Sequence, residues 1–302
     1  MDKILELKNV TKKYRGFTLD NISLSLFPGF ILGIIGPNGA GKTTTIKIIM
    51  DMVKADSGIV KVFGKNPKKS IKEIKNRIGY VGEEQNFYMD KTVSWTGRFV
   101  SRFYKKWDTN MFESLLSRFS ISRSKKIREL SKGMKVKLSL ALALSHNPEL
   151  IILDEPTAGL DPVIRRELLE LLRKIPDKGD KSVLISSHIT DDIARTADIV
   201  SFIIDGQIVL SAPKDDLLDR WKRIHYQEGA LDPSMVSTLI NKKEHILGNS
   251  GMTNRYTRIK DILSDGVAEG KIKIENVTLD DILIAHVKEG ARVNGSDYIK
   301  EK

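Results

Sequence analysis

Phe30-Ile-Leu-Gly-Ile-Ile-Gly36-Pro-Asn-Gly-Ala-Gly-Lys-Thr-Thr44 is the stretch on which the fold turns. Phe30 to Ile35 is an unbroken apolar run, as a strand buried on both faces requires. Gly36 to Thr43 fits G-x-x-x-x-G-K-[ST], and Thr45 to Val53 continue with helical apolar spacing. Strand, glycine loop and helix thus follow in the order a phosphate-binding loop needs. Gly36, Asn38, Gly39, Ala40, Gly41, Lys42, Thr43 and Thr44 are its expected phosphate-binding residues. The glycines let backbone N–H groups converge on phosphate oxygens, Lys42 adds a point charge, and Thr43 offers a hydroxyl to Mg²⁺.

Upstream of the loop, Ile4 to Val10 and Leu19 to Leu26 alternate apolar and polar residues, which predicts half-buried antiparallel strands. Downstream, Leu150 to Leu153, Ser182 to Ser186 and Ile199 to Ile204 are short apolar strands separated by helical segments, the pattern of an α/β sheet. One of those helices keeps apolar spacing at Ile164, Leu168, Leu171 and Ile175, with Asp161 as N-cap and Pro162 in its first turn. Leu150-Ile-Ile-Leu-Asp154-Glu155 ends a buried strand in two carboxylates. Asp154 there suits Mg²⁺, and Glu155 suits orienting and deprotonating a water. A plain strand end would need neither acid, but the phosphate loop upstream gives both a use.

Composition narrows the classes. The 302 residues carry 50 Lys plus Arg against 39 Asp plus Glu, a formal net charge of +11. With 40% apolar residues the chain can bury a core, and it has no cysteine for disulfides, thiol catalysis or cysteine-held zinc. No uncharged apolar run approaches the ~18 residues that cross a bilayer. The charged start, Met-Asp-Lys-Ile-Leu-Glu, is not that of a signal peptide, so a cytosolic address is expected. Residues 65–137 hold 19 Lys/Arg and 7 Asp/Glu, a balance of +12 that leaves the remainder near neutral. This segment reads as a mostly helical inserted subdomain, its charge either a solvated face or an attraction to a polyanion. After Leu217 the character changes to a mixed tail with a strand over Lys271 to Ile274 and a helix opening at Thr278, Asp281 completing its cap.

Leu130-Ser131-Lys132-Gly133-Met134 starts a further helix just before the acidic strand, and a serine and glycine at a helix N-terminus suit an anion. With this element the sequence resembles the ATP-binding cassette (ABC) ATPases from Ile4 to about Ala212, every motif in order. The resemblance implies an α/β P-loop NTPase fold: a mixed β-sheet core, an antiparallel β subdomain and an inserted helical subdomain, spanning 1–216, followed by a small α+β extension over 217–302. It implies ATP with Mg²⁺, and ATP hydrolysis. Tyr14 stands where the family stacks an aromatic ring on adenine. Ser131, Gly133 and Met134 match the signature, and Ala158-Gly-Leu-Asp161 the loop facing a second subunit. His188, in Ile185-Ser-Ser-His, matches the histidine that contacts the γ-phosphate. Two departures stand out. Glu83 occupies the position usually held by a metal-contacting glutamine, with Gln85 as a substitute, and the signature reads Ser-Lys-Gly-Met for the common Ser-Gly-Gly-Gln.

The family's arrangement implies a head-to-tail dimer, of identical chains or with a second ABC ATPase, around two ATP. The variant signature and the Glu83-Glu84 pair resemble the branch serving bacterial exporters whose polytopic membrane subunit is a separate chain. That implies a peripheral protein on the cytoplasmic face of the membrane, no nucleic acid as partner, and cargo such as amphipathic or antimicrobial peptides or hydrophobic drugs. A soluble ABC ATPase acting on ribosomes or DNA is the alternative, and a non-enzymatic binding module is disfavoured by Glu155 and His188. His146, His225, His245 and His286 read as ordinary residues. Trp95, Trp107 and the Phe/Tyr residues of 87–119 read as subdomain core or a groove for a partner helix.

Overall fold

The alternating pattern near the start builds β1 (Leu5–Tyr14) and β2 (Phe17–Leu26), antiparallel from Leu5 opposite Leu26 to Tyr14 opposite Phe17, with Leu19, Ile22, Leu24 and Leu26 buried. This computed structural model describes residues 2–176, 179–245 and 248–288. The apolar run becomes β3 (Ile31–Ile35), buried throughout, and leads through the glycine loop into α1 (Lys42–Ile49). β4 (Ser57–Val62) pairs with β1 and completes a three-stranded antiparallel sheet in the order β2-β1-β4.

There follow α2 (Pro67–Asn76), β5 (Ile78–Val81), α3 (Val93–Ser101), α4 (Thr109–Arg118), α5 (Lys132–Leu144), β6 (Leu150–Asp154), α6 (Pro162–Arg173), β7 (Ser182–Ser187), α7 (Thr190–Thr196), β8 (Ile199–Ile204) and β9 (Gln207–Pro213). The larger sheet runs β5-β6-β7-β3-β8-β9 and is parallel from β5 through β8. β9 returns along the edge after Asp205 and Gly206, both at positive φ, the turn a two-residue hairpin needs. Because β6, β7 and β3 are neighbours, their C-terminal ends lie side by side, which is where ligands bind in sheets of this kind.

The chain divides into two compact units, Met1–Leu210 and Ser211–Lys302. The second contains α8 (Lys214–Arg220), β10 (Lys222–Tyr226), α9 (Pro233–Thr238), β11 (Ile240–His245), β12 (Gly248–Thr253), α10 (Tyr256–Ile259), α11 (Ser264–Ala268), β13 (Ile272–Asn276) and α12 (Leu279–Lys288). Its four strands form an antiparallel sheet, β11-β12-β10-β13, over a separate core of Ile224, Tyr226, Leu231, Leu239, Leu263 and Ile272. Thr278 and Asp281 cap α12 reciprocally: each backbone N–H reaches the other's side chain, at 2.9 and 3.1 Å.

Three boundaries differ from the sequence expectation. α1 stops at Ile49 rather than running to Val53, because Asp51 turns left-handed (φ 52°) and the Met52 N–H closes on the Lys47 carbonyl at 2.8 Å. The stretch 65–137 is not one helical insertion: β5 within it belongs to the main sheet, paired with β6 from Ile78 opposite Leu150, so the helical excursion lies between β5 and β6. The division between units falls after Leu210, earlier than the expected 216.

Candidate functional site

The glycine loop is shaped by close approaches. A Cβ on Gly36 would lie 2.2 Å from the Ile203 carbonyl oxygen of β8, so only glycine fits. Gly41, the N-cap of α1, sits at φ 112°, a conformation that L side chains rarely adopt. No side chain caps α1, which leaves the N–H groups of its first turn facing the loop, an arrangement suited to phosphate. Lys42 folds back across the loop and donates to the carbonyls of Gly36 at 2.7 Å and Pro37 at 3.0 Å. Pro37, Asn38 and Gly39 are exposed at the loop's outer rim.

The acidic strand end meets the loop directly. Asp154 is buried, and its Oδ1 accepts from Ser186 Oγ at 2.6 Å and from Thr43 Oγ1 at 3.2 Å. Glu155, 6% exposed, has left-handed backbone (φ 49°), held by its N–H donating to the carbonyl and hydroxyl of Ser186 at 3.2 and 3.1 Å. Strain of this kind costs on the order of 1–3 kcal/mol and persists where surrounding structure fixes it. Glu155 Oε2 lies 2.7 Å from His188 Nδ1 and accepts from the His188 backbone N–H at 3.3 Å. Its Oε1 is 3.1 Å from Lys42 Nζ, close enough for an ion pair yet out of line for a hydrogen bond. Lys42, Thr43, Asp154, Glu155 and His188 therefore come together beyond the ends of three neighbouring strands, with Ser186 as a hub the sequence reading missed. A serine inside the buried run of β7, two residues before His188, is the signal that could have found it.

Thr43 and Asp154 fit Mg²⁺ chemically: both offer hard oxygen ligands, and their oxygens already converge. Among the described residues no cluster of three or more His, Cys, Asp or Glu could form an all-protein cage, so phosphate oxygens and water would complete the shell.

The other expected residues lie apart from this group. Ser131 is the N-cap of α5 and accepts from the Met134 N–H at 3.2 Å; Gly133 is buried against Ile164. Asp161 caps α6 through the N–H groups of Val163 and Ile164 at 3.1 and 3.0 Å. Among the described residues no hydrogen bond or ion pair joins Ser131, Gly133, Met134 or Asp161 to Lys42, Glu155 or His188. Tyr14 is exposed at the β1–β2 hairpin, with Lys12 Nζ 5.6 Å from its ring centre. Glu83 is exposed in the loop after β5, whereas Gln85 is engaged, donating to the Gly82 carbonyl at 2.7 Å and accepting from Ser139 of α5. Burial, and then the charges of Asp154 and Glu83, push the Tyr80 hydroxyl above its ordinary pKa, so Tyr80 feels both carboxylates.

The histidines outside the site have ordinary partners. His146 is buried and stacked on Tyr104, ring centres 3.8 Å apart, and His225 pairs with Glu275 at 2.6 Å. His286 lies 2.8 Å from the Ile282 carbonyl, and the His245 side chain is outside the described residues. The aromatic residues of the helical excursion split. Trp107 packs on buried Phe112, while Tyr88, Trp95, Phe99 and Phe103 form a ladder with centroids 5.0–5.8 Å apart, exposed at Tyr88 and Phe103.

The sequence signature of the family described as "ABC transporter" matches residues 19–158. The ABC transporter ATP-binding protein YtrB of Bacillus subtilis is 36% identical over 222 residues, covering 73% of this chain and 76% of the relative. The bacitracin transport ATP-binding protein BcrA of Enterococcus faecalis is 30% identical over 249 residues, covering 82% and 80%. A solved structure described as the ATP-binding subunit of an ABC transporter superposes with TM-score 0.65 at 27% identity, over 71% of this chain and 91% of that one. An ATP-binding cassette in its ADP conformation superposes with TM-score 0.60 at 28% identity, over 72% and 93%. With a phosphate loop, an acidic strand end and a histidine gathered at the C-terminal ends of neighbouring strands, and relatives that match over most of their own length, the chain belongs to the ATP-binding subunits of ABC transporters and is an ATPase.

Proposed function

We propose that the chain is the motor of an exporter, a peripheral subunit on the cytoplasmic face of the membrane that hydrolyses ATP to drive a separate polytopic membrane subunit. The observation that carries the reading is the contact of Glu155 with both His188 and Lys42, beside Thr43 and Asp154. Lys42 and the N-terminus of α1 bind the phosphates. Thr43 and Asp154 would hold Mg²⁺, and Glu83, whose charge reaches Tyr80 as that of Asp154 does, is a further candidate ligand. Bound there, the metal would supply charge neutralisation on the phosphate oxygens. Glu155 takes a proton from water, the water oxygen attacks the γ-phosphorus in line, and the β–γ bridging oxygen leaves with ADP. His188 contacts the γ-phosphate, and Glu155 orients its ring through Nδ1.

A dimer is favoured by what one chain lacks. Among the described residues no hydrogen bond or ion pair joins Ser131, Gly133 or Met134, at the start of α5, to the chain's own phosphate loop, and a head-to-tail second subunit, identical or a related ABC ATPase, meets that signature end, Asp161 lying at the facing loop. Tyr14 stacks on the adenine. For the membrane partner, the Tyr88-Trp95-Phe99-Phe103 ladder fits the apolar side of an amphipathic helix, and among the described residues no helix is long and apolar enough to cross a membrane. The resemblance to bacitracin transport proteins favours amphipathic or antimicrobial peptides, or hydrophobic drugs, as cargo; nucleic acid is not expected as a partner.

The test is an affinity pull-down of tagged Glu155→Gln chain with ATP and Mg²⁺ from detergent-solubilised cells. A polytopic membrane protein in stoichiometric amount is expected; ribosomes or DNA without one would overturn the transporter reading in favour of a soluble ATPase.

A further inference from the structure

Asp192 is the most enclosed carboxylate near the site, fully buried in the first turn of α7, four residues beyond His188. Each of its oxygens is engaged. Oδ2 accepts from the hydroxyl of Thr157, itself buried, and Oδ1 accepts from Arg165 Nε at 2.6 Å. The ion pair with Arg165 offsets the cost of burying the charge, and it ties α7 to α6. The Thr157 bond does something else.

Thr157 lies in the short segment that leads from Glu155 to the α6 cap. That segment is two successive turns, the Ala158 N–H on the Glu155 carbonyl at 3.2 Å and the Leu160 N–H on the Thr157 carbonyl at 3.1 Å. It begins with the left-handed Glu155, a backbone conformation that must be held from both sides. Upstream, the Glu155 N–H is fixed by Ser186. Downstream, Thr157 Oγ1 is, among the described residues, the only side chain of 156–160 seen to bond to another element, and its acceptor is Asp192. The same helix begins two residues after His188, so one carboxylate holds the turn bearing Glu155 against the helix that follows His188.

We propose that Asp192 is a positioning residue for ATP hydrolysis, which sets the Glu155–His188 contact through the Thr157 hydroxyl. This rests on the roles assigned to Glu155 and His188 above. The brace touches neither Lys42 nor the α1 N-terminus, so it acts on the chemical step and leaves nucleotide binding alone.

The measurements are kcat, KM for ATP and equilibrium ATP binding on the full chain. Thr157→Val removes the hydroxyl with little change of shape and is expected to lower kcat about ten- to a hundred-fold, as a small misplacement of a reacting group does. KM and ATP affinity stay within about two-fold, a difference too small to matter against that loss. Thr157→Ser, which keeps the hydroxyl, returns kcat to the native value. Asp192→Asn is a second route to the same loss, and the double variant Thr157→Val with Asp192→Asn is no slower than the slower single one, as for residues acting as a unit. A Thr157→Val chain with native kcat, a serine variant that fails to restore it, or a fall in ATP affinity matching the fall in kcat overturns the brace. A Glu155→Gln chain that still turns over overturns instead the assignment on which the brace rests.

Discussion

Glu155 meets two demands in one position, to reach both Lys42 and His188 with its side chain and to keep a left-handed backbone angle that L residues disfavour. Glu155→Gln preserves the shape and removes the base, so turnover should fall by about 10²–10⁴, while ATP with Mg²⁺ now holds the chain as a dimer on a sizing column. A monomer under those conditions argues against the two-subunit site. Lys42→Ala removes a charged donor, worth about 1.5–3 kcal/mol per bond, so ATP affinity should drop roughly ten- to a hundred-fold in a titration. A third residue carries a pH dependence unrelated to catalysis. Burial pushes His146 below its ordinary value of 6.5 against the pull of the Ile78 and Leu142 carbonyls. The folded chain thus prefers this ring neutral while the unfolded chain protonates it near 6.5, so stability is full above that pH and declines as pH falls below it. His146→Phe keeps a ring against Tyr104 and should flatten the fall in Tm between about pH 6.5 and 5; an unaltered slope assigns it to other groups. At this scale the sequence was highly readable, because Lys42, Thr43, Asp154, Glu155 and His188 all sit in local motifs. Ser186, Thr157 and Asp192 were not, since what each does depends on a partner 27 or more residues away that no local spacing announces.

Elements were legible where their periodicity ran long enough. β3, β6 and β8 follow from continuous apolar runs, and α6 begins at the Asp161-Pro162 start the sequence marks. β5 escaped because four residues, Ile78 to Val81, flanked by charged segments, offer too little pattern to set against a helical neighbourhood. The α1 end escaped because the Asp51 turn is a left-handed aspartate, where a glycine would have signalled the stop. The α5 helix bears on function through its N-cap. Ser131→Ala loses the bond to the Met134 N–H, which typically costs ~1 kcal/mol, so Tm should fall by roughly 2–4 °C in a unit of this size. If Ser131 also contacts a phosphate across the dimer, ATP-dependent dimerisation weakens by more than that stability change explains; equal losses in both would confine Ser131 to capping.

The whole molecule is two units with separate cores, and the order of strands in the first has a temporal side. β1, β2 and β4 can pair as soon as residue 62 has been made, since their partners are neighbours in sequence. β3 cannot, for its only strand partners in the sheet are β7 and β8, and Ile35 precedes Ser182 by 147 residues (182 − 35). During synthesis at ~5–20 residues per second, that apolar strand waits about 7–30 s without a ladder. A nascent chain arrested before Ser182 is accordingly expected to be cleaved by protease within or beside Ile31–Ile35, and one arrested with β8 clear of the ribosome to be protected there. The strand that anchors the phosphate loop is thus among the first to emerge and among the last to be housed, which makes this ATPase a natural client of whatever shelters newborn chains at the ribosome.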